Sequence, residues 1–301
     1  KTTATTTEDG GTDVVQVKLS SSPTAEVRIS VVSSNTNEGT VSVSELVFNS
    51  TTWNANQSVT ITGVDDSSID GDEPYTITLS VTAGDAKYLA VANRVVNATN
   101  TDNDEALLNI TKTTLTTNES GTSDTFGVSL SSQPKNTVTV SITGLNTLEG
   151  LLNKTSLEFT TANWSAAQVV TVTGKDDVVA DGNKTYRLTA TASSADTDYD
   201  GVTGNPISVT NIDNDTPGIT VSTAVLQTTE GASNTFSISL SSQPVKDVTI
   251  NVSSSDLTEG TLSVSSVKFT PTDWAAKTVT VNGVVDDVDD DHAKAQRDDR
   301  K

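Results

Sequence analysis

The sequence predicts an all-β protein built as a string of Ig-like antiparallel β-sandwiches. Three observations predict it. First, the chain repeats itself. Leu-Ser-Ser-x-Pro occurs at Leu19–Pro23, Leu130–Pro134 and Leu240–Pro244. A lone tryptophan follows at Trp53, Trp164 and Trp274, and an aspartate pair at Asp65-Asp66, Asp176-Asp177 and Asp286-Asp287, each set recurring after 111 and then 110 residues. Self-similarity at a fixed long period marks an array of like units, each with its own core. Second, hydrophobic residues make up 33% and aromatics 4% of the chain, so each unit has a thin core that suits two packed sheets. Third, Thr, Ser and Val dominate, and these favour strands over helices. The period divides the chain into about 2.7 repeats with expected boundaries at 1–104, 105–215 and 216–301.

The second repeat is complete. Leu108-Asn109-Ile110 opens a first strand running towards Thr116, and Glu119-Ser120-Gly121 turns the chain. Phe126, Val128 and Leu130 alternate with polar residues, the period-two pattern of a half-buried strand. Pro134-Lys135-Asn136 makes the next turn, and Val138, Val140 and Ile142 alternate again. After Glu149-Gly150 a segment passes Leu157 and Phe159 to Trp164; Val170 and Val172 then lead to Gly174-Lys175-Asp176-Asp177. Tyr186, Leu188 and Ala190 give a sixth strand, and Ile207 and Val209 a seventh ending at Asp213-Asn214-Asp215. Seven short strands with regular turn signals read as an Ig-like sandwich. The tryptophans are expected to cap the core.

The first repeat matches almost position by position but begins part-way through its first strand. Lys1 corresponds to Lys112, so the chain reads as a piece of a longer polypeptide. The third repeat has no counterpart of Tyr75 and Tyr186, and its tail from His292 to Lys301 is charged and strand-poor. Its last strands are either truncated or diverged, or they come from elsewhere by strand addition from a neighbouring subunit.

The formal charge of −21 argues against nucleic acid and against anionic membrane surfaces. No apolar run reaches membrane-spanning length. Without cysteine there are no disulfides or thiolate metal sites, and His292, the only histidine, supports neither a Ser-His-Asp nor a zinc constellation. Carboxylate pairs can drive glycoside hydrolysis, but here they recur beside short turns in every repeat without an aromatic cleft. The chain is not expected to be an enzyme.

The recurring acids lie in turns. Glu8, Glu119 and Glu230 follow the first strand; Glu38, Glu149 and Glu259 follow the third, each before a glycine. Asp65-Asp66, Asp176-Asp177 and Asp286-Asp287 follow the fifth, with Asp70 and Asp181 a few residues on. Asp102 and Asp104, then Asp213 and Asp215, end the seventh. Loops after odd-numbered strands emerge at one end of a sandwich. Convergence there would gather enough carboxylate oxygens for Ca²⁺, a hard cation that takes six to eight of them. Turn chemistry alone accounts for any one of these sites, as at Asp70-Gly71 and Asp181-Gly182, and less well for all of them together.

The Glu-Gly turn, the Asp-Asp-x-x-x-Asp-Gly segments at Asp65–Gly71 and Asp176–Gly182, and the terminal Asp-x-Asp resemble Calx-β domains. That family includes calcium-sensing modules of sodium/calcium exchangers and tandem arrays in bacterial surface proteins. The phrases Ile61–Asp66 and Val209–Asp215 are especially similar to the bacterial repeats, and the likeness covers all but about the last ten residues. The resemblance implies Ca²⁺ at the tip facing the next unit. By position its ligands would be Glu8, Asp65, Asp66, Asp70, Asp102 and Asp104, then Glu119, Asp176, Asp177, Asp181, Asp213 and Asp215, with Glu38 and Glu149 as looser matches. The terminal run is Asp-Asn-Asp, Asn183 replaces Asp72, and the third repeat lacks the terminal acids. Weaker binding than in a sensor is therefore expected, and a deficient third site at Glu230, Asp286 and Asp287.

The expected role is a calcium-binding structural segment of a secreted or cell-surface bacterial protein: a stalk, an adhesin arm or a filament subunit. Cations would stiffen the junctions, and partners would be neighbouring copies or host-surface ligands. The alternatives are a carbohydrate- or protein-binding module array, or calcium-sensing regulatory domains.

Overall fold

The computed structural model describes residues 1–285. Alternating Val, Ile, Leu and Thr build strands that bury every second side chain, and the strands pair into three β-sandwiches. In the first, β1 (Thr3–Thr7), β3 (Val27–Ser33), β5 (Glu45–Phe48), β7 (Glu73–Ala83) and β8 (Arg94–Thr101) form one sheet in the order β1-β8-β7-β3-β5. Facing it are β2 (Thr12–Val17), β4 (Gly39–Val41) and β6 (Gln57–Gly63), ordered β2-β6-β4. A short helix, α1 (Ala86–Leu89), follows β7.

The second sandwich repeats this plan. The sheet β10-β17-β16-β12-β14 comprises β10 (Thr114–Asn118), β12 (Val138–Thr143), β14 (Ser156–Phe159), β16 (Lys184–Ser194) and β17 (Ile207–Ile212). The sheet β13-β15-β11-β9 comprises β9 (Leu108–Ile110), β11 (Ser123–Leu130), β13 (Gly150–Leu152) and β15 (Gln168–Gly174). Phe126, Phe159, Leu188 and Tyr199 fill the space between them, and Trp164 packs at the margin, as Trp53 and Trp274 do in the other two.

The seven expected strands are present, with two refinements. The first strand of the second repeat is divided: β9 pairs with β11 in one sheet, whereas β10 crosses to the other and pairs with β17. That second pairing is parallel, as is β1 with β8, so one pair in each complete sandwich departs from the antiparallel rule. The segment after Glu149 likewise resolves into β13 and β14, one in each sheet.

The third sandwich contains β18 (Ile219–Val221), β19 (Ser233–Leu240), β21 (Gly260–Leu262) and β23 (Lys277–Gly283) in one sheet, ordered β18-β19-β23-β21. Its other sheet, among the described residues, is only β20 (Val248–Asn251) paired with β22 (Ser266–Phe269). The described buried apolar cluster there is reduced to Ile238, Val267, Phe269 and Val279. Among the described residues no helix is long and apolar enough to cross a membrane.

Candidate metal centre

Four turns leave the first sandwich at one end and carry its acids together. Glu8 follows β1, Glu38 precedes β4, Asp65 to Asp70 follow β6, and Asp102 and Asp104 follow β8. They divide into two groups: Glu8, Asp102 and Asp104 offer oxygens within 4.8 Å of one another, and so do Glu38, Asp66 and Asp70. In the second sandwich Glu119, Asp213 and Asp215 form the counterpart of the first group.

Backbone amides hold these carboxylates in place. Asn103 N donates to Glu8 Oε2 at 3.2 Å, Asp104 N to Asp102 Oδ1 at 2.8 Å and Gly71 N to Asp102 Oδ2 at 2.8 Å. The second sandwich repeats the pattern: Asn214 N to Glu119 Oε2 at 2.9 Å, Asp215 N to Asp213 Oδ1 at 2.7 Å, and Gly182 N to Asp213 Oδ2 at 2.6 Å. The positive φ of Gly71 and Gly182, 83° and 80°, turns those amides onto the aspartates. One oxygen of each group is left over. Asp104 Oδ2 and Asp215 Oδ2 are buried and accept no hydrogen bond.

Beneath each tip lies an asparagine that the sequence reading passed over. Asn211 is 1% exposed; its side-chain amide donates to Glu149 Oε2 at 3.3 Å and to the Lys175 carbonyl at 3.1 Å, and its oxygen accepts from Thr117 Oγ1 at 3.0 Å. Asn100 does the same for Glu38, Val64 and Thr6. The available signal was an Asn two residues before the terminal acids in both repeats, Asn100-Thr101-Asp102 and Asn211-Ile212-Asp213.

The electrostatics are unfavourable as they stand. Glu8 is 2% exposed, and burial, with Asp102, Asp66 and Asp70 nearby, pushes its carboxyl up to about 7. Burial and then neighbouring carboxylates also raise Glu38, Asp70, Asp104, Glu119 and Asp215. Asp213 runs the other way: burial opposes its charge, but amide hydrogen bonds from Gly182, Asp215 and Asp181 outweigh it. Among the described residues, none of the seven acids at the first sandwich's tip (Glu8, Glu38, Asp65, Asp66, Asp70, Asp102 and Asp104) forms an ion pair. A carboxyl raised in the fold binds its proton more tightly there than in the unfolded chain, so stability falls as pH rises through that interval. In chelator, the melting temperature should drop between pH 4.5 and about 7, the interval set by Glu8. A flat or rising calorimetric profile would contradict the buried-acid reading.

Not every expected ligand is gathered. Glu149, Asp177 and Asp181 occupy the positions of Glu38, Asp66 and Asp70, yet the second such group does not close in the second sandwich. Lys184 explains the difference: its ammonium lies 3.0 Å from Asp181, where the first sandwich has Glu73. Asp65 and Asp176 are exposed and lend charge: Asp65 raises Asp104, and Asp176 raises Asp215. Glu230 is exposed on an irregular segment rather than buried like Glu8 and Glu119. Asp286 and Asp287 lie outside the described residues.

The acidic loops also touch the following sandwich. Gln133 N donates to the Ser67 carbonyl, and Gln243 N to the Val178 carbonyl, both at 2.6 Å. Each contact joins an Asp-Asp loop to the next Ser-Ser-Gln-Pro turn. The two aspartates brace the loops from within: Ser68 N donates to Asp66 Oδ1 at 2.6 Å and Val179 N to Asp177 Oδ1 at 2.7 Å.

No protein-family model matches the chain, and no curated protein matches its sequence. Solved structures are similar at low identity. CBD12 from CALX1.2 is 16% identical over 65% of this chain and 80% of its own, with a TM-score of 0.32. The calcium-binding domain CBD12 of CALX1.1 is 16% identical over 62% and 76%, with a TM-score of 0.31. A chaperone–tip adhesin complex of CFA/I fimbriae is 12% identical over 60% and 86%, with a TM-score of 0.28.

Proposed function

We propose that the chain is a calcium-binding structural array, a segment of a secreted or cell-surface protein in which Ca²⁺ stiffens successive β-sandwiches. The observation that carries this reading is the pair of matched groups, Glu8-Asp102-Asp104 and Glu119-Asp213-Asp215. Each has a nearly buried glutamate and one buried carboxylate oxygen without a partner. Three oxygens within 4.8 Å of one another can all lie within about 2.8 Å of one centre, close to the Ca²⁺–oxygen distance of about 2.3–2.6 Å. The donors are all oxygen, which favours calcium over zinc or copper. A bound cation would reverse the electrostatic penalty on all the raised carboxyls at once.

The link to stiffness is local. Asp66 and Asp177 fix the loops whose carbonyls accept from Gln133 and Gln243, so a cation that orders those loops orders the contact between sandwiches. Extracellular modules bind calcium at about 10⁻⁴–10⁻³ M, so an affinity in that range is expected of an array working outside the cell. Lys184 at the second tip predicts unequal sites, the first tip taking more cations than the second.

Titration calorimetry on chelator-stripped protein is the test. Saturable heat is expected, with one site lost in Asp104→Asn and another in Asp215→Asn. Small-angle scattering should show a longer and narrower distance distribution with Ca²⁺ than without. Absence of heat together with identical scattering curves would leave a passive acidic spacer.

A further inference from the structure

The Leu-Ser-Ser-x-Pro motif recurs in all three repeats, yet it carries no acid. In the second sandwich it forms the turn after β11, and three consecutive residues of that turn meet the tip of the first sandwich. Ser131 and Ser132 take the strand end that bears the terminal acids. The Glu105 carbonyl, one residue beyond Asp104, accepts from both Ser131 Oγ and Ser132 Oγ, the latter at 3.0 Å. A carbonyl oxygen has two lone pairs, and both are used here. Ser131 Oγ also accepts from Leu107 N at 2.7 Å, and Ser131 N donates to the Leu107 carbonyl at 3.1 Å. The linker 105–107 is therefore held at both ends. Gln133 takes the other side of the tip: its amide donates to the Ser67 carbonyl at 2.6 Å, and it forms an isolated parallel bridge with Ser68, between Asp66 and Asp70.

The turn itself is fixed to the second core. Leu130, just before it, is 2% exposed, and Ser132 and Tyr199 are fully buried. Ser132 N donates to the Tyr199 hydroxyl at 3.0 Å, and that hydroxyl donates to the Ser132 carbonyl at 2.8 Å. The Gln133 side chain donates to the Thr161 carbonyl at 2.8 Å. A rigid part of one sandwich thus grips two of the four acidic turns of its neighbour.

What it grips is under strain of charge. Asp104 Oδ2 is buried without a partner, while Asn103 N and Asp104 N hold Glu8 and Asp102. Repulsion among these carboxylates pushes Asp102 and Asp104 away from Glu8 unless the backbone beyond them is anchored. The two serine hydroxyls anchor it at the next residue.

We propose, on the calcium reading of that tip, that Ser131, Ser132 and Gln133 are positioning residues of the first sandwich's acidic centre, supplied by the second sandwich and anchored by Tyr199. The centre then belongs to two adjacent sandwiches rather than to one. By linkage, calcium at the first tip stabilises the turn as much as the turn strengthens the site.

The test is amide hydrogen exchange on the 301-residue chain, followed by titration calorimetry. The variants are Ser131→Ala with Ser132→Ala, and separately Tyr199→Phe. In chelator the amides of Asn103 and Asp104 should exchange about fivefold faster or more in both variants. Those of Asn214 and Asp215, at the second tip, should keep the parent rates. In a chain carrying Asp215→Asn, so that the first tip supplies the heat, calcium affinity should fall by a similar factor. Ser131→Thr, which keeps the hydroxyl, should retain both parent values. Unchanged exchange at Asn103 and Asp104 would overturn the proposal whatever calcium does. Equal acceleration at both tips would do the same, since it would mean a general loosening of the second sandwich. Faster exchange at the first tip alone, in a chain whose parent takes up no calcium, would sink the calcium reading and leave the positioning in place.

Discussion

Chelation should lower the melting temperature of the first two sandwiches by about 10 °C or more relative to saturating calcium. Calcium at about a hundred times its dissociation constant stabilises a folded site by about 2.7 kcal/mol. One kcal/mol moves the midpoint of a domain this size by about 4–8 °C. The variant Asp104→Asn plus Asp215→Asn makes the result specific. It keeps the shape of both side chains but removes two charges that burial opposes and whose second oxygens have no hydrogen-bond partner. Without calcium the variant should melt above the parent, because repulsion within each tip is relieved. With calcium it should melt below, because a ligand is gone. That crossing of the two curves is the signature. If the variant melts above the parent under both conditions, the acids repel without binding.

Gly174→Ala should destabilise the second sandwich by about 3 kcal/mol, at the upper end of what overpacking costs. A methyl group at Gly174 would lie 2.1 Å from the Asn118 carbonyl oxygen and 2.5 Å from Asn211 Oδ1. The first of these is backbone in β10, which is fixed by its pairing with β17 and cannot step aside cheaply. The second is the asparagine beneath the acidic tip. Calcium affinity of that tip should therefore fall together with stability, while the first sandwich, with Gly63 intact, keeps its own transition. Denaturant unfolding would read the stability loss, and calorimetry would read the affinity. Unchanged values for both would mean that β10 and Asn211 do not pack against this glycine in solution.

The strands were legible because alternating Val, Ile, Leu and Phe leave little choice of face: Val138, Val140 and Ile142 are buried as their spacing requires. The repeat made the acidic turns legible too, and Glu8, Glu38 and Glu119 are each nearly buried beside aspartates as their positions suggest. Side-chain periodicity says nothing about which sheet a strand joins, so the crossing of β10 to pair with β17 was hidden. Asn100 and Asn211 were hidden for another reason. A polar residue on a Thr-rich strand looks solvent-facing until its partners, 36 or more residues away, come together around it. Lys184 spoils a group that reads as intact in one dimension, since its reach to Asp181 depends on a turn rather than on spacing alone.

The parallel pairs β1–β8 and β10–β17 give each complete sandwich a particular response to being pulled. Tension along the chain draws β10 from its Thr114 end and β17 from its Ile212 end, opposite ends of strands that run the same way. The load then falls on the register from Thr114↔Ser208 to Asn118↔Ile212 all at once, in shear. Hydrogen bonds sheared together yield at higher force than bonds unzipped one after another, and resistance to force is set by this barrier rather than by equilibrium stability. Among the described residues the third sandwich has no such pair. In a pulling experiment the two complete sandwiches should each unfold as a separate high-force event, holding together as a tether below that force.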